Sequence, residues 1–258
     1  MPHRRLGQHF LIRGTVLERI AAAACPNRVE TVIEIGPGRG ALTQKLLQRA
    51  TRVVAIELDS YLASHLRRKF AGEPCLEVVE GDVLDTDLGQ WSGAVITGNL
   101  PYYITSPILE KVLRLGTPRA VFLVQKEVAQ RVVAAPGSRD YGFLTVQTAL
   151  FARARLLFEV KPAAFHPPPK VDSAVVLLEP RAAPADVDAL LRFVGQCFRH
   201  KRKTLRNNLA EICGKETVEA WPEAGLRAEQ IPVEQFTEMY RRYSSISSPS
   251  SAAPKVLP

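Results

Sequence analysis

The chain has 258 residues, 46% of them hydrophobic, and a formal net charge of +8. That length and composition admit one sizeable core, or a large and a small domain, and exclude a chain too polar to fold. The basic balance favours a polyanionic partner, because each phosphate contact releases condensed counterions. The longest apolar runs, "IAAAAC" (20–25) and "AVFLV" (120–124), fall far short of a membrane span. "AAAAC" resembles a small-residue cleavage or lipid-attachment site. However, Arg13, Glu18 and Arg19 interrupt the apolar stretch a signal peptide needs, so the segment reads as a helix and the protein as cytoplasmic. Cys25, Cys75, Cys197 and Cys213 are widely spaced with no C-x-x-C pair, and the five histidines show no ligand spacing. Free thiols and no metal are expected.

The opening "MPHRRLGQHFLIR" is polar and basic; after it Val16, Leu17, Ile20, Ala21 and Ala24 recur at helical spacing. "TVIEIG" is a β-branched run closed by glycine and reads as a first strand. "ALTQKLLQRA" predicts a helix with Leu42, Leu46 and Leu47 on one face. "RVVAIELD" gives a second strand, and "SYLASHLRRKF" an amphipathic helix starting at the cap-capable Ser60. "CLEVVEGD" and "GAVITGNLPY" give the third and fourth strands, and "PILEKVLRLG" a helix with Pro107 near its start. "RAVFLVQ" is a fifth strand, followed by helical "KEVAQRVVAA". "ARLLFEV" and "SAVVLLEP" read as a closing hairpin around the proline-rich "KPAAFHPPPK".

Strands alternating with helices predict an α/β fold with a mainly parallel sheet, which takes ligands at the carboxyl ends of its strands. The first domain is expected over residues 1–180, with "PRAAPAD" (180–186) as a linker. A helical domain follows over 181–243, in which Leu190, Leu191, Val194, Cys197, Phe198, Leu205, Leu209 and Ile212 form one stripe. The tail from Ser244 is rich in Ser, Pro and Ala and is expected to be disordered.

"EIGPGRGA" (34–41) is a strand-to-helix turn in which Gly36, Gly38 and Gly40 let backbone approach a ligand closely. About twenty residues farther on, Glu57 ends the second strand, placed to accept two ribose hydroxyls. Gly36 to Ala41 also satisfies the dinucleotide pattern, so this pair leaves the cofactor open. The third strand narrows the choice. Asp82 after it suits the exocyclic amine of an adenine, with the Val83 amide on the ring edge. Glu34 adds negative charge beside the loop, which repels a pyrophosphate and suits the sulfonium and ammonium of S-adenosylmethionine.

The fourth strand ends in "GNLPYYITSP". The N6 nitrogen of adenine is a poor nucleophile because its lone pair is delocalised into the ring. Asn99 Oδ1 and the Leu100 carbonyl are placed to accept its two protons and aim the lone pair at an activated methyl. Pro101 stiffens the turn. Tyr102 offers a face on which a flipped base stacks. Phe165, in "AFHPPPKVDSAV", is a second aromatic candidate for the other face of that base, with a core anchor as the alternative.

These stretches together resemble the ribosomal RNA adenine N6,N6-dimethyltransferases, above all the bacterial small-subunit (16S) branch. The resemblance runs through "LGQHFL", "EIGPGRG", "AIELD", "EGDVLD", "GNLPYYITSPIL", "LVQKEVAQR", "YGFLTVQ", "FHPPPKVDSAV" and "FRHKRKTLRNNL". It implies a class I S-adenosylmethionine-dependent methyltransferase fold, Rossmann-like, with a small helical C-terminal domain. It further implies dimethylation of two adjacent adenosines in a hairpin loop near the 3′ end of small-subunit rRNA, within an assembling 30S particle. Cofactor contacts carried over fall on His9, Leu11, Gly36, Glu57, Asp82 and Asn99. Position 9 is often Asn in this family, and His9 replaces its hydrogen bond only in a suitable tautomer. The large-subunit enzymes share the cofactor motifs, whereas "PPPKVDSAV" and "QKEVAQR" favour the small-subunit branch.

"RHKRKTLR" (199–206) carries Arg199, Lys201, Arg202, Lys203 and Arg206, expected on about two helical turns facing RNA phosphates. Arg4 and Arg5 are expected to add phosphate contacts. The chain is expected to act as a monomer. Two rival functions stay open at this level: an assembly factor that works mainly by binding, and a nicotinamide-dependent oxidoreductase, for which no hydride site is visible.

Overall fold

The computed structural model describes residues 9–247. Arg4 and Arg5, and residues 248–258 of the expected tail, lie outside the described residues. Ser244–Ser247 of that tail are helical, which corrects the expected start of disorder.

Seven strands form one sheet: β1 (Val29–Ile35), β2 (Ala50–Glu57), β3 (Leu76–Glu80), β4 (Val95–Asn99), β5 (Ala120–Gln125), β6 (Ala152–Val160) and β7 (Ser173–Pro180). Their spatial order is β3-β2-β1-β4-β5-β7-β6. The first five run parallel, and β7 lies antiparallel to both β5 and β6. Strand order therefore reverses between β1 and β4, where such sheets open a crevice for ligands.

The strands read as continuous apolar runs because both faces are covered. Val32, Val53, Val95 and Val121 share one cluster with Leu17, Ile20, Ala21 and Ala24 of α1 (Gly14–Ala24). Their neighbours Ile33, Val54, Ile96 and Phe122 point the other way and are equally buried. The remaining helices that follow these strands are α2 (Thr43–Leu46), α3 (Ser60–Lys69), α4 (Thr105–Leu115) and α5 (Lys126–Val132).

Two local expectations change. The helix expected over "ALTQKLLQRA" shrinks to the single turn α2, with turns on either side. The cap of α3 is Asp59 rather than Ser60: its carboxylate accepts from the amides of Tyr61 (2.9 Å) and Leu62 (3.2 Å). A carboxylate also meets the positive end of the helix, which a hydroxyl does not.

The chain divides into two compact units. One takes in the described residues up to Val133 together with Phe151–Ala182; the other takes in Ala134–Leu150 and the described residues from Ala183. The expected division at 180/181 is therefore incomplete, because 134–150 leaves the sheet-bearing unit. That segment holds most of α6 (Phe143–Phe151), a helix the sequence reading did not anticipate. It is secured within its own unit by Tyr141 Oη donating to the Ile231 carbonyl (2.7 Å) and Gly137 N–H to that of Glu229 (2.7 Å). The rest of this unit is α7 (Val187–Cys197), α8 (Leu205–Cys213), α9 (Lys215–Glu219) and α10 (Val233–Ser247). Its core gathers Leu190, Val194, Leu209, Trp221, Phe236 and Met239.

Where β1 and β4 pair, Gly98 sits opposite Ile35, and an added Cβ would stand 2.3 Å from the Ile35 carbonyl oxygen. Backbone on both sides leaves no room to yield. Gly98→Ala is expected to destabilise the protein by about 1–3 kcal/mol or more. Thermal unfolding checks this, and an unchanged midpoint would contradict the close approach.

Candidate active site

At the carboxyl ends of β1, β2 and β4 lies a cavity of about 330 Å³, lined among others by Glu34, Gly36, Gly38, Glu57, Asp82 and Asn99. The sheet register explains the gathering. Ile35 pairs with Ile56 and with Gly98, so Gly36, Glu57 and Asn99 emerge side by side. His9, Leu11, Val83, Leu100, Pro101 and Tyr102 also line the cavity.

The glycine turn is closed on the second strand. Gly36 (φ +66°) donates its N–H to the Ile56 carbonyl at 3.0 Å. Gly38 (φ +57°) donates to Glu57 Oε2 at 3.0 Å. The other carboxyl oxygen of Glu57 accepts from the Asp59 amide, also at 3.0 Å. Glu57 is 4% exposed, and burial raises its pKa against the pull of the Asp59 and Gly38 amides. Gly40 serves packing instead: a Cβ there would meet Phe70 and Leu66 at 2.6 and 2.7 Å.

Glu34 is 2% exposed and accepts the Thr43 hydroxyl at 2.5 Å. Burial pushes its carboxyl up to about 8, opposed by Thr43 and aided by the nearby Glu57. The negative charge expected of Glu34 is thus mostly absent at neutral pH, because desolvation outweighs its hydroxyl partner. Asp82 follows β3; its Oδ1 accepts from the Leu84 amide at 2.8 Å, leaving Oδ2 for a ligand.

After β4, the Leu100 amide donates to the Leu123 carbonyl (3.0 Å), which fixes the Asn99–Leu100 peptide plane. Asn99 Nδ2 donates to the His9 carbonyl at 3.0 Å. The amide nitrogen is thereby engaged, and Oδ1 is the atom left to accept. Tyr102 is half-buried; its hydroxyl meets Ser173 Oγ at 2.9 Å, and burial raises its pKa. Its ring lies 29° from the plane of the His9 ring, with centroids 6.1 Å apart.

His9 reaches this place because Phe10–Leu11 pairs with Phe165–His166. His9 Nδ1 stands 2.8 Å from the Pro167 carbonyl. A carbonyl only accepts, so Nδ1 carries the proton, doing what the amide nitrogen of an asparagine would do at this position. Phe165 departs from expectation. It is 3% exposed and packs in the core cluster with Leu11 and Leu17 rather than against the cavity. Its neighbour His166 lines the cavity instead.

In the other unit, Arg199, Lys201, Arg202 and Lys203 fall in the loop between α7 and α8, not on helical turns; only Arg206 is helical. The backbone there is held by Asn208, whose Nδ2 donates to the carbonyls of Cys197 (2.8 Å) and His200 (3.2 Å). Arg199 pairs with Glu211 at 2.5 Å and Arg206 with Glu219 at 3.5 Å. Lys201 Nζ donates to the Arg139 carbonyl. Asn208 and the cavity-lining Leu58 (48% exposed) and His166 are among the residues that sequence reasoning missed. The "NN" of "TLRNNL" gives no sign of which amide turns inward. Leu58, directly after Glu57, is legible only as an apolar residue where a strand should already have turned polar.

A glycine turn after β1, acids after β2 and β3 and an N-x-P-Y turn after β4, on a sheet of this order, define a class I methyltransferase fold. A family model described as "Ribosomal RNA adenine dimethylase" matches residues 2–245, and the chain belongs to that family. It is 43% identical over 255 residues to the Ribosomal RNA small subunit methyltransferase A of Acidobacterium capsulatum, covering 92% of this chain and 89% of that protein. It is 42% identical over 269 residues to the protein of the same name in Gloeobacter violaceus, covering 97% and 96%. Among solved structures, a dimethyladenosine transferase from Plasmodium falciparum aligns with a TM-score of 0.78 at 27% identity, over 92% of this chain and 98% of that one. The 23S rRNA methyltransferase ErmE aligns at 0.73 and 31% identity, over 91% and 99%. The match excludes the oxidoreductase.

Glu34 gives stability a pH dependence of definite sign. With a folded-state pKa near 8 against an ordinary 4.5, the folded protein holds a proton that the unfolded chain releases. Its contribution is fullest below the unfolded value and is lost as pH rises toward 8. The stability of wild type relative to Glu34→Gln is expected to fall between pH 5 and pH 8, measured by urea unfolding. Parallel profiles would contradict the assignment.

Proposed function

We infer that this protein uses S-adenosylmethionine to dimethylate the N6 amines of two adjacent adenosines in small-subunit rRNA, within an assembling 30S particle in the cytoplasm. The observation that carries this is the fixed amide of Asn99, whose Nδ2 is spent on the His9 carbonyl. Among rRNA targets, the named relatives favour the small subunit.

The chain's own groups suit this cofactor better than a dinucleotide. The Gly38 amide, which would meet a phosphate in a dinucleotide site, is already donated to Glu57. Two buried carboxyl groups, Glu34 and Glu57, flank the turn, and neither offers the cationic partner a pyrophosphate needs. Gly36 and Gly38 admit the ligand's backbone-facing edge, Glu57 accepts the ribose hydroxyls, and Asp82 takes the exocyclic amine. Val83 and Leu58 supply apolar surface to the purine, and His9 and Leu11 close the cavity from the N-terminal side. When bound, S-adenosylmethionine supplies a methyl group activated by a sulfonium.

Asn99 Oδ1 and the Leu100 carbonyl accept the two protons of the target amine. Two acceptors at fixed positions orient a nitrogen whose lone pair would otherwise stay delocalised into the π system of the ring. Pro101 holds the turn, its carbonyl taking the Thr105 hydroxyl at 3.0 Å, and Tyr102 stacks on the base. Phe165, buried as it is, supports this site by holding Leu11. Lys201, Arg202 and Lys203, with Arg199 and Arg206, meet RNA phosphates.

Transfer of labelled methyl groups to small subunits lacking the modification, with the nucleoside identified by mass spectrometry, tests the activity. Asn99→Ala is expected to lower the transfer rate by about 10²-fold or more at saturating cofactor. Full activity in that variant would remove the basis of the mechanism. Charge reversal at Lys201 and Lys203 is expected to weaken RNA binding and flatten its salt dependence, by about one unit of log–log slope per lost phosphate contact. An unchanged slope would show that these lysines do not touch the backbone.

A further inference from the structure

Tyr103 is 63% exposed, although it lines the same cavity as Tyr102. The two rings share a single 3₁₀ turn, Tyr102–Ile104, in which consecutive side chains diverge by about 120°. Tyr102 is turned into the fold, with its hydroxyl on Ser173. Tyr103 is turned outward at the rim. The turn is stiff: the Ile104 amide donates to the Pro101 carbonyl at 3.2 Å, and α4 begins at the next residue.

A large ring left in water does little for the fold, and a solvated loop would place a polar side chain there. What a flat, rigidly mounted ring does well is stack. Base–aromatic stacking needs no particular sequence, since every base has a π-face. An adenine drawn into the cavity leaves the face of its neighbour in the strand bare, and a ring at the rim can replace the lost contact. The groups assigned to the purine, Asp82, Val83 and Leu58, stand on the turns after β2 and β3, so that purine does not need this ring.

We propose that Tyr103 forms a second nucleobase subsite at the rim of the cavity, stacking on the base next to the adenine being methylated. This rests on the rRNA-adenine function above and adds a recognition element to it. Because the target residues are adjacent, the subsite holds one of them while the other is in the cavity, and their exchange keeps the RNA engaged between rounds.

The test combines a protein change with an RNA change. Tyr103→Ala is expected to raise KM for small subunits roughly 5- to 150-fold, leaving cofactor affinity as in wild type; Tyr103→Phe should restore it, since the face and not the hydroxyl is used. Subunits reconstituted with RNA that is abasic beside the target adenine should cost wild type a similar factor and cost Tyr103→Ala nothing further. Additive losses, lowered cofactor affinity, or a Tyr103→Ala variant with wild-type KM would each overturn the subsite. Wild-type protein that transfers no methyl to intact subunits would overturn the underlying function instead, so the two failures are distinguishable.

Discussion

Everything at the mouth of the sheet depends on one hydrogen bond joining groups ninety positions apart, from Asn99 Nδ2 to the His9 carbonyl. An amide can face either way in a cavity, and its two ends have opposite uses. The bond removes that freedom. It exists only because Phe10–Leu11 is stitched to Phe165–His166, and because His9 is itself tied to Pro167. The N-x-P-Y turn, the Phe10–Leu11 strand and the proline-rich loop are thus one mechanical unit. Neutral acceptors suit the role proposed for them, because an aromatic amine is itself neutral.

The carboxyl groups of the site illustrate a different economy. Glu57 is buried, yet each of its oxygens takes a backbone amide; these bonds shape the glycine turn and offset part of the desolvation. Each oxygen retains a second lone pair, so a structural role and ligand binding are compatible. Glu34 takes the Thr43 hydroxyl, and burial pushes its carboxyl up to about 8. In two acids on neighbouring strands, burial is thus opposed by different partners, backbone amides for Glu57 and Thr43 for Glu34. Their environments differ, while their residue type does not.

Much of this was legible in the sequence, and the reasons for success and failure are physical. The strand ends were readable because "EIGPGRG", Glu57, Asp82 and "NLPY" sit where apolar runs stop, and a parallel sheet brings such stops together. The pairing of Phe10–Leu11 with Phe165–His166 was not, since two residues carry no period. Phe165 was misplaced because an aromatic beside three prolines fits a core anchor and a base clamp equally well; only the neighbours decide. The basic run was given a helix by composition, although Asn208 holds its backbone in a loop. The protonation of Glu34 is a property of its surroundings and leaves no trace in the order of residues.

The excursion of Ala134–Leu150 bears on how the molecule is made. The sheet's last two strands follow that excursion in the chain, so β6 and β7 emerge from synthesis only after Tyr141 and Val146. Those side chains are buried in the finished protein, and the groups that secure Tyr141, such as the Ile231 carbonyl, are still untranslated at that moment. A gene cut after Ala182 would accordingly yield no tidy catalytic half. It would yield one carrying a greasy, unmated insertion, a standing invitation to self-association.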